Sequence, residues 1–299
     1  MKKLFLTVMI LIIVGCLAAC SQNGTGGVLG EKILFPSSGS DNGITAQTKT
    51  EYRISELLEQ AGEKELFIYS DPRETDYSMT EKLGFDRNTF TEMRTTQRYK
   101  EKNAMLFVDR FGCFDYSVES SVYKQYPYSD RESMEIARTF LKEHDLFPED
   151  CTLWRISGQE YDYNSDGTAR TLVGVTVSFL PAEVDGCAVS GAGIGVRING
   201  KGEVVSVYYQ NREYQKKEKA IMIPLEQAVR KCASAESANL SEDIDAEKIV
   251  IEKAELMYYA QNNNPEITTM QPVWLFSGTA YDKDGQTAEF RSTVQANRY

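Results

Sequence analysis

Apolar positions along the chain follow two periods. Around 172–180, Val173, Val175, Val177 and Phe179 alternate with smaller or polar residues, the two-residue period of a half-buried strand. Ile54, Leu57, Leu58 and Ala61 instead share one helical face, and Gly62 can end that helix. Leu66–Tyr69 reads as a strand, and strands over 103–108 and 113–118 flank Arg110-Phe111-Gly112 as a hairpin. Ser129 or Asp130 caps a helix that turns Met134, Ala137, Phe140 and Leu141 inward. Strands follow over 152–161 and 172–180, separated by the turn Asn164-Ser165-Asp166-Gly167, with another turn at Asp185-Gly186. Asn199-Gly200-Lys201-Gly202 joins strands 195–198 and 204–209, a strong hairpin signal. Pro224 opens a helix with Leu225, Ala228, Val229 and Cys232 on one face. Strands over 248–259, 272–281 and 287–294 complete the chain. Residues 71–102 are too charged for either period, and Phe85 and Phe90 there could anchor short helices.

This order predicts an α+β fold. Residues 128–220 and 221–299 each run helix, strand, loop, then long strands with Gly turns. The economical solution is one amphipathic helix laid on one antiparallel sheet, made twice. Residues 51–127 form an N-terminal α+β segment before the two repeats. Residues 20–50, with few charges and many Gly and Ser, read as a tether.

Residues 1–19 read as a signal peptide. Lys2 and Lys3 precede an uncharged run from Leu4 to Ala19. At 1.5 Å per residue that run reaches ~24 Å, short of the ~30 Å hydrocarbon core. It ends Leu17-Ala18-Ala19-Cys20, which closely resembles the bacterial lipobox. The expectation is cleavage before Cys20, lipid on its thiol, and residence on the extracytoplasmic face of the cell membrane.

Charge and composition narrow the classes. The 299 residues carry a formal charge of −11, and removing Lys2 and Lys3 makes the chain more acidic still. An acidic balance argues against nucleic acid as a partner, since phosphate neutralisation needs a basic face. One histidine, His144, makes a His-rich metal site or a His-based triad improbable. It falls at a helix end, where a cation favours the dipole. Cys113, Cys151, Cys187 and Cys232 remain after the signal and the lipid, without a Cys-x-x-Cys. Buried thiols and at least one disulfide both stay open.

Chemical motifs are sparse. Ser190-Gly191-Ala192-Gly193 has no adjacent base, and a strand rather than a helix follows it, so it is neither a nucleophile elbow nor a dinucleotide loop. Asp162, Asn164 and Asp166 before Gly167 match the first half of a calcium loop, but the twelfth position is Val173 instead of a bidentate Glu. A hairpin turn is the preferred reading there. The acidic pairs Glu149/Asp150 and Glu242/Asp243 fall on loops, where carboxylates are usually solvated. Tyr208/Tyr209 and Tyr258/Tyr259 send one ring to each side of a sheet. Tyr209 and Tyr259 are the interface candidates, tyrosine being enriched at such surfaces.

The run Val184-Asp185-Gly186-Cys187-Ala188-Val189, followed by Ile194 to Val204, resembles a PepSY-type unit. Ala254 to Tyr259, then Gln271-Pro272-Val273-Trp274, is similar to the C-terminal part of YycH/YycI-type proteins. Those are extracytoplasmic accessory regulators of a cell-wall two-component kinase in Gram-positive bacteria. They are held by a transmembrane helix, whereas this chain carries a lipobox. The resemblance covers about 128–299 and implies a regulatory, non-enzymatic protein without a cofactor. The expected function is therefore that of a lipid-anchored interaction protein acting on a membrane-proximal envelope protein, such as a sensor kinase or protease. The alternatives are a lipoprotein binding wall glycan or peptide and, further off, a carboxylate-based hydrolase.

Overall fold

The computed structural model describes residues 44–298, apart from 62–63, 72–75, 121–123, 149–150, 152, 164–169, 235–236, 262–263 and 265. Cys20 and the signal peptide lie outside the described residues, as do Asn164, Asp166, Glu149 and Asp150.

Two large sheets dominate. The second sheet in space is the simpler in sequence: β3 (Phe90–Glu92), β4 (Thr96–Glu101), β5 (Ala104–Asp109), β6 (Phe114–Val118), β7 (Leu153–Tyr163), β8 (Arg170–Leu180), β10 (Gly193–Asn199) and β11 (Val204–Gln210). Its order is β3-β4-β5-β6-β11-β10-β8-β7, with every pair antiparallel. The first sheet draws on both halves of the chain. Its main path joins β1 (Ile44–Tyr52), β14 (Ala246–Ala260), β15 (Thr269–Tyr281), β16 (Thr287–Gln295) and β13 (Asn239–Leu240). Beside that path, β2 (Phe67–Ser70) pairs with β15 and β12 (Gln215–Lys219), while β9 (Val189–Ser190) pairs with β14. The 15-residue β14 makes this possible: β15 lines one side, and the other is shared by two short parallel partners, β1 at Ala246–Ile251 and β9 at Tyr258–Tyr259.

Helices are few and short among the described residues: α1 (Ile54–Ala61), α2 (Met79–Lys82), α3 (Asp130–Glu143) and α4 (Leu225–Val229). The α+β expectation of two equivalent helix-plus-sheet repeats is corrected to a mostly β fold. Two causes are visible. The strand alternation runs further than the sequence reading carried it, into β1 from residue 44, within the stretch read as tether, and into β3, β4, β12 and β13. The helix opened by Pro224 stops after five residues, and Cys232, the next residue of its buried face, is carried into the same core by a different turn. A short 3₁₀ turn, Cys232–Ser234, follows, and the Ser292 hydroxyl donates to the Cys232 carbonyl at 2.6 Å, fastening that turn to β16.

The cores follow from this layout. Met134, Ala137 and Leu141 of α3 pack with Val175, Val177, Phe179, Val196 and Val207 on one face of the second sheet. Its start is fixed by a capping box, in which the Ser129 hydroxyl accepts from the Glu132 amide and Glu132 accepts from the Ser129 amide. Leu57, Leu225 and Val229 pack with Ile249, Phe276 and Phe290 of the first sheet. No described helix is long and apolar enough to cross a membrane.

The sheets meet at a buried ion pair. Asp109, at the end of β5, uses Oδ1 to accept from the Phe111 and Cys113 amides at 2.8 and 3.0 Å. Its Oδ2 lies 3.5 Å from the Arg212 guanidinium. Arg212 also donates to the Ile267 and Asn264 carbonyls at 2.7 and 3.2 Å and lies over the Phe111 ring. Gly191 makes a second close approach. Its φ is +77°, and a Cβ there would collide with the Ala260 carbonyl of β14.

Candidate binding surface

α3 covers one face of the second sheet, and the opposite face carries no core cluster among the described residues. Register sets one continuous row across it. Thr91, Arg98, Phe107, Asp115, Tyr208, Gly195, Ser178 and Arg155 are direct cross-strand neighbours from β3 to β7. The tyrosine pair is divided by the pleat. Tyr209 turns inward with Val205 and Val207, is 7% exposed, and stacks on Phe114 at 4.9 Å. Exposure passes to Tyr208, at 47%. The run Val205, Val207, Tyr209 held that signal: residues two apart share a face.

Beside Tyr208 lies a depression of about 500 Å³. Its floor is low because Gly193, Gly195, Thr176, Ser178, Ser157 and Ser206 are small. Arg155 of the edge strand β7 and Arg197 of the interior strand β10 line it. Arg197 is neutralised by Glu160, to which its Nε donates at 3.0 Å. Arg155 has no carboxylate partner among the described residues. Burial first, then Asp115, pushes the Tyr208 hydroxyl above its usual range, and Tyr259 from the first sheet adds to the effect. Desolvation, then Asp109, raises the Asp115 carboxyl. Tyr259 is half-buried against Gly191, so the structure brings Tyr208 and Tyr259 to one rim.

In chemical terms the depression offers a guanidinium, hydroxyls and a phenol. The Ser178 hydroxyl donates to Ser157 at 2.7 Å, and the lining holds neither carboxylate nor imidazole. No metal-binding group of three or more His, Cys, Asp or Glu occurs among the described residues. Asp162 is exposed at the end of β7, while its partners in the calcium motif are outside the described residues. Glu242 and Asp243 are exposed. His144 caps α3, and its Nδ1 donates to the Lys82 carbonyl at 2.7 Å. All four cysteines of the folded part are buried thiols.

A second polar cluster fastens the 184–187 turn. The Tyr69 and Tyr258 hydroxyls both donate to Asp185 Oδ2 at 2.8 Å. The Phe67 amide donates to the Tyr258 hydroxyl at 3.0 Å, and Lys216 lies 3.7 Å from the other carboxylate oxygen. Asp185 adopts φ +50°, which Asp tolerates better than most residues. Burial, then Asp185, pushes the Tyr69 hydroxyl up to about 12 and raises Tyr258 as well. Sequence reading placed a turn here but had no means of finding the two tyrosines, which come from β2 and β14.

No family model matches the chain, and no curated protein matches it. Among solved structures, an uncharacterized protein from Eubacterium rectale ATCC 33656 is 13% identical, with 80% of this chain and 86% of that one covered and a TM-score of 0.37. The C-terminal domain of YpeB from Bacillus megaterium is 14% identical, with 75% and 94% covered and a TM-score of 0.26. Likeness at those scores assigns this chain neither a fold family nor a function.

Proposed function

We propose that this chain is a lipid-anchored extracytoplasmic interaction protein. It holds an extended segment of a membrane-proximal envelope protein against the open face of the second sheet, and so modulates that protein, a sensor kinase or a protease. The observation that carries the reading is the unbroken row from β3 to β7, with Tyr208 and Arg155, which has no carboxylate partner among the described residues, standing over a floor of small residues. Interfaces concentrate their energy on such aromatic and Arg anchors. The lipobox at Cys20 supports the location, and the sequence resemblance to PepSY-type units and YycI-type regulators supports the regulatory role. A second reading, capture of a wall glycan or peptide, draws on the same phenol and hydroxyls.

A photoreactive phenylalanine analogue at position 208 tests the proposal in the living cell. The expected result is a crosslink to one envelope protein, absent when the analogue replaces exposed Lys283 in the turn between β15 and β16. Crosslinking to wall material alone favours the second reading, and crosslinking to neither refutes both.

A further inference from the structure

At the edge of the second sheet furthest from β7, β3 and β4 form a hairpin closed by a tight turn in which the Met93 amide donates to the Thr96 carbonyl at 2.9 Å. Two large apolar side chains stand out of it: Phe90 is 44% exposed and Met93 48%. Phe90 lies against Tyr99, its direct cross-strand neighbour, with ring centroids 5.9 Å apart. The surrounding charge opposes that of the chain as a whole. Residues 87–100 contain Arg87, Arg94, Arg98 and Lys100 against one carboxylate, Glu92, in a protein of net charge −11. Arg87, Arg94 and Arg98 form no ion pair among the described residues.

We infer that this hairpin rests edge-on against an anionic phospholipid surface, with Phe90 and Met93 entering the interfacial zone and the three arginines, Arg98 from the face opposite Phe90, meeting lipid phosphates. Charge complementarity selects the occupant. An acidic protein brought close to an anionic bilayer is repelled by its net charge, whereas residues 87–100 carry four cations against one carboxylate. Exposed apolar side chains flanked by cations are what an interfacial contact needs: the apolar part is insensitive to salt, and the electrostatic part is screened within about 10 Å at 0.1 M salt. Such a contact would orient the open face relative to the membrane, which a tether alone leaves undetermined.

The test uses the full chain purified from membranes and reconstituted into vesicles. An environment-sensitive bimane is placed at Met93→Cys and, separately, at Leu153→Cys, which is 58% exposed at the opposite edge of the same sheet. The cysteines of the folded part are buried, and labelling of the unsubstituted protein is subtracted. The expected result is a blue shift at position 93 in phosphatidylglycerol vesicles, partly reversed by high salt and absent in phosphatidylcholine, with no shift at 153. Arg94→Glu with Arg98→Glu should abolish the shift while the urea midpoint stays unchanged. An aqueous spectrum at 93 in anionic vesicles overturns the inference, as does an equal shift at 153 or a shift that survives both Glu substitutions. A shift seen only in membranes that retain their proteins, and not in pure lipid, overturns it in favour of an acidic protein partner. Should the chain fail to float with vesicles, the anchor is refuted separately, and anionic vesicles added in excess must still shift position 93.

Discussion

Replacing Arg212 by Met should destabilise the protein through one identifiable route. The Arg212 side chain is 0% exposed and that of Asp109 7%, so neither charge has water to fall back on. Arg212→Met removes the Arg212 guanidinium from the Asp109 carboxylate, which keeps the Phe111 and Cys113 amides. It also removes the donors to the Ile267 and Asn264 carbonyls. Breaking one side of a buried pair costs about 3–5 kcal/mol. Asp109→Asn alone keeps an oxygen for the two amides but takes the Asp109 charge away from a fully buried guanidinium, and should cost about as much. Together, Asp109→Asn and Arg212→Met remove both charges, so the double variant should cost less than the sum, with a coupling of about 1–3 kcal/mol. Urea unfolding of the four proteins measures this. Hydrogen exchange should show the loss of protection concentrated near Phe111–Cys113 and Asn264–Ile267, where the sheets meet. Additivity within about 0.5 kcal/mol would refute the reasoning, because independent sites behave that way.

Three further outcomes follow from the geometry. Tyr209→Ala removes a ring stacked on Phe114 and should cost about 3–5 kcal/mol, whereas Tyr208→Ala should stay within about 0.5 kcal/mol in urea unfolding yet lower the crosslinking yield to a partner. Tyr69 keeps its proton to about pH 12 in the fold against about 10 when unfolded, so its contribution is whole below pH 10 and is lost as pH rises from 10 to 12; Tyr69→Phe should flatten that limb of unfolding free energy against pH by up to about 2–3 kcal/mol in urea unfolding, and an unchanged limb counts against the Asp185 cluster. Cys20→Ala should leave an unprocessed precursor or a released soluble form, with fatty-acid labelling of the unsubstituted chain alone; equal labelling of the variant would remove the anchor from the account.

Local signals in the sequence determined a good deal. Alternation at Val173–Phe179 marks β8, Asn199–Gly202 marks the β10–β11 turn, and Ser129 with Glu132 marks the start of α3. Each depends on residues within a few positions of one another, where period, turn chemistry and capping act directly. The overall class was not legible, because an apolar face does not by itself set helix length. At α4 the helix stops after Val229 although the buried face continues to Cys232, which a 3₁₀ turn carries before strands claim the remaining chain. Strand partnership was equally hidden. Nothing near Ile44 or Val189 announces that both will lie parallel to β14, some 200 and 70 residues later, and that pairing exists only because a 15-residue strand offers an unoccupied side. The candidate surface divides the same way. The pleat could have told Tyr208 from Tyr209 in the sequence, since Val205 and Val207 had already declared the inner face. Only the tertiary structure could place Arg98, Phe107 and Arg155 in one row with Tyr208, or bring Arg212 to Asp109 across 103 residues, because those neighbours are fixed by register and sheet order rather than by position along the chain.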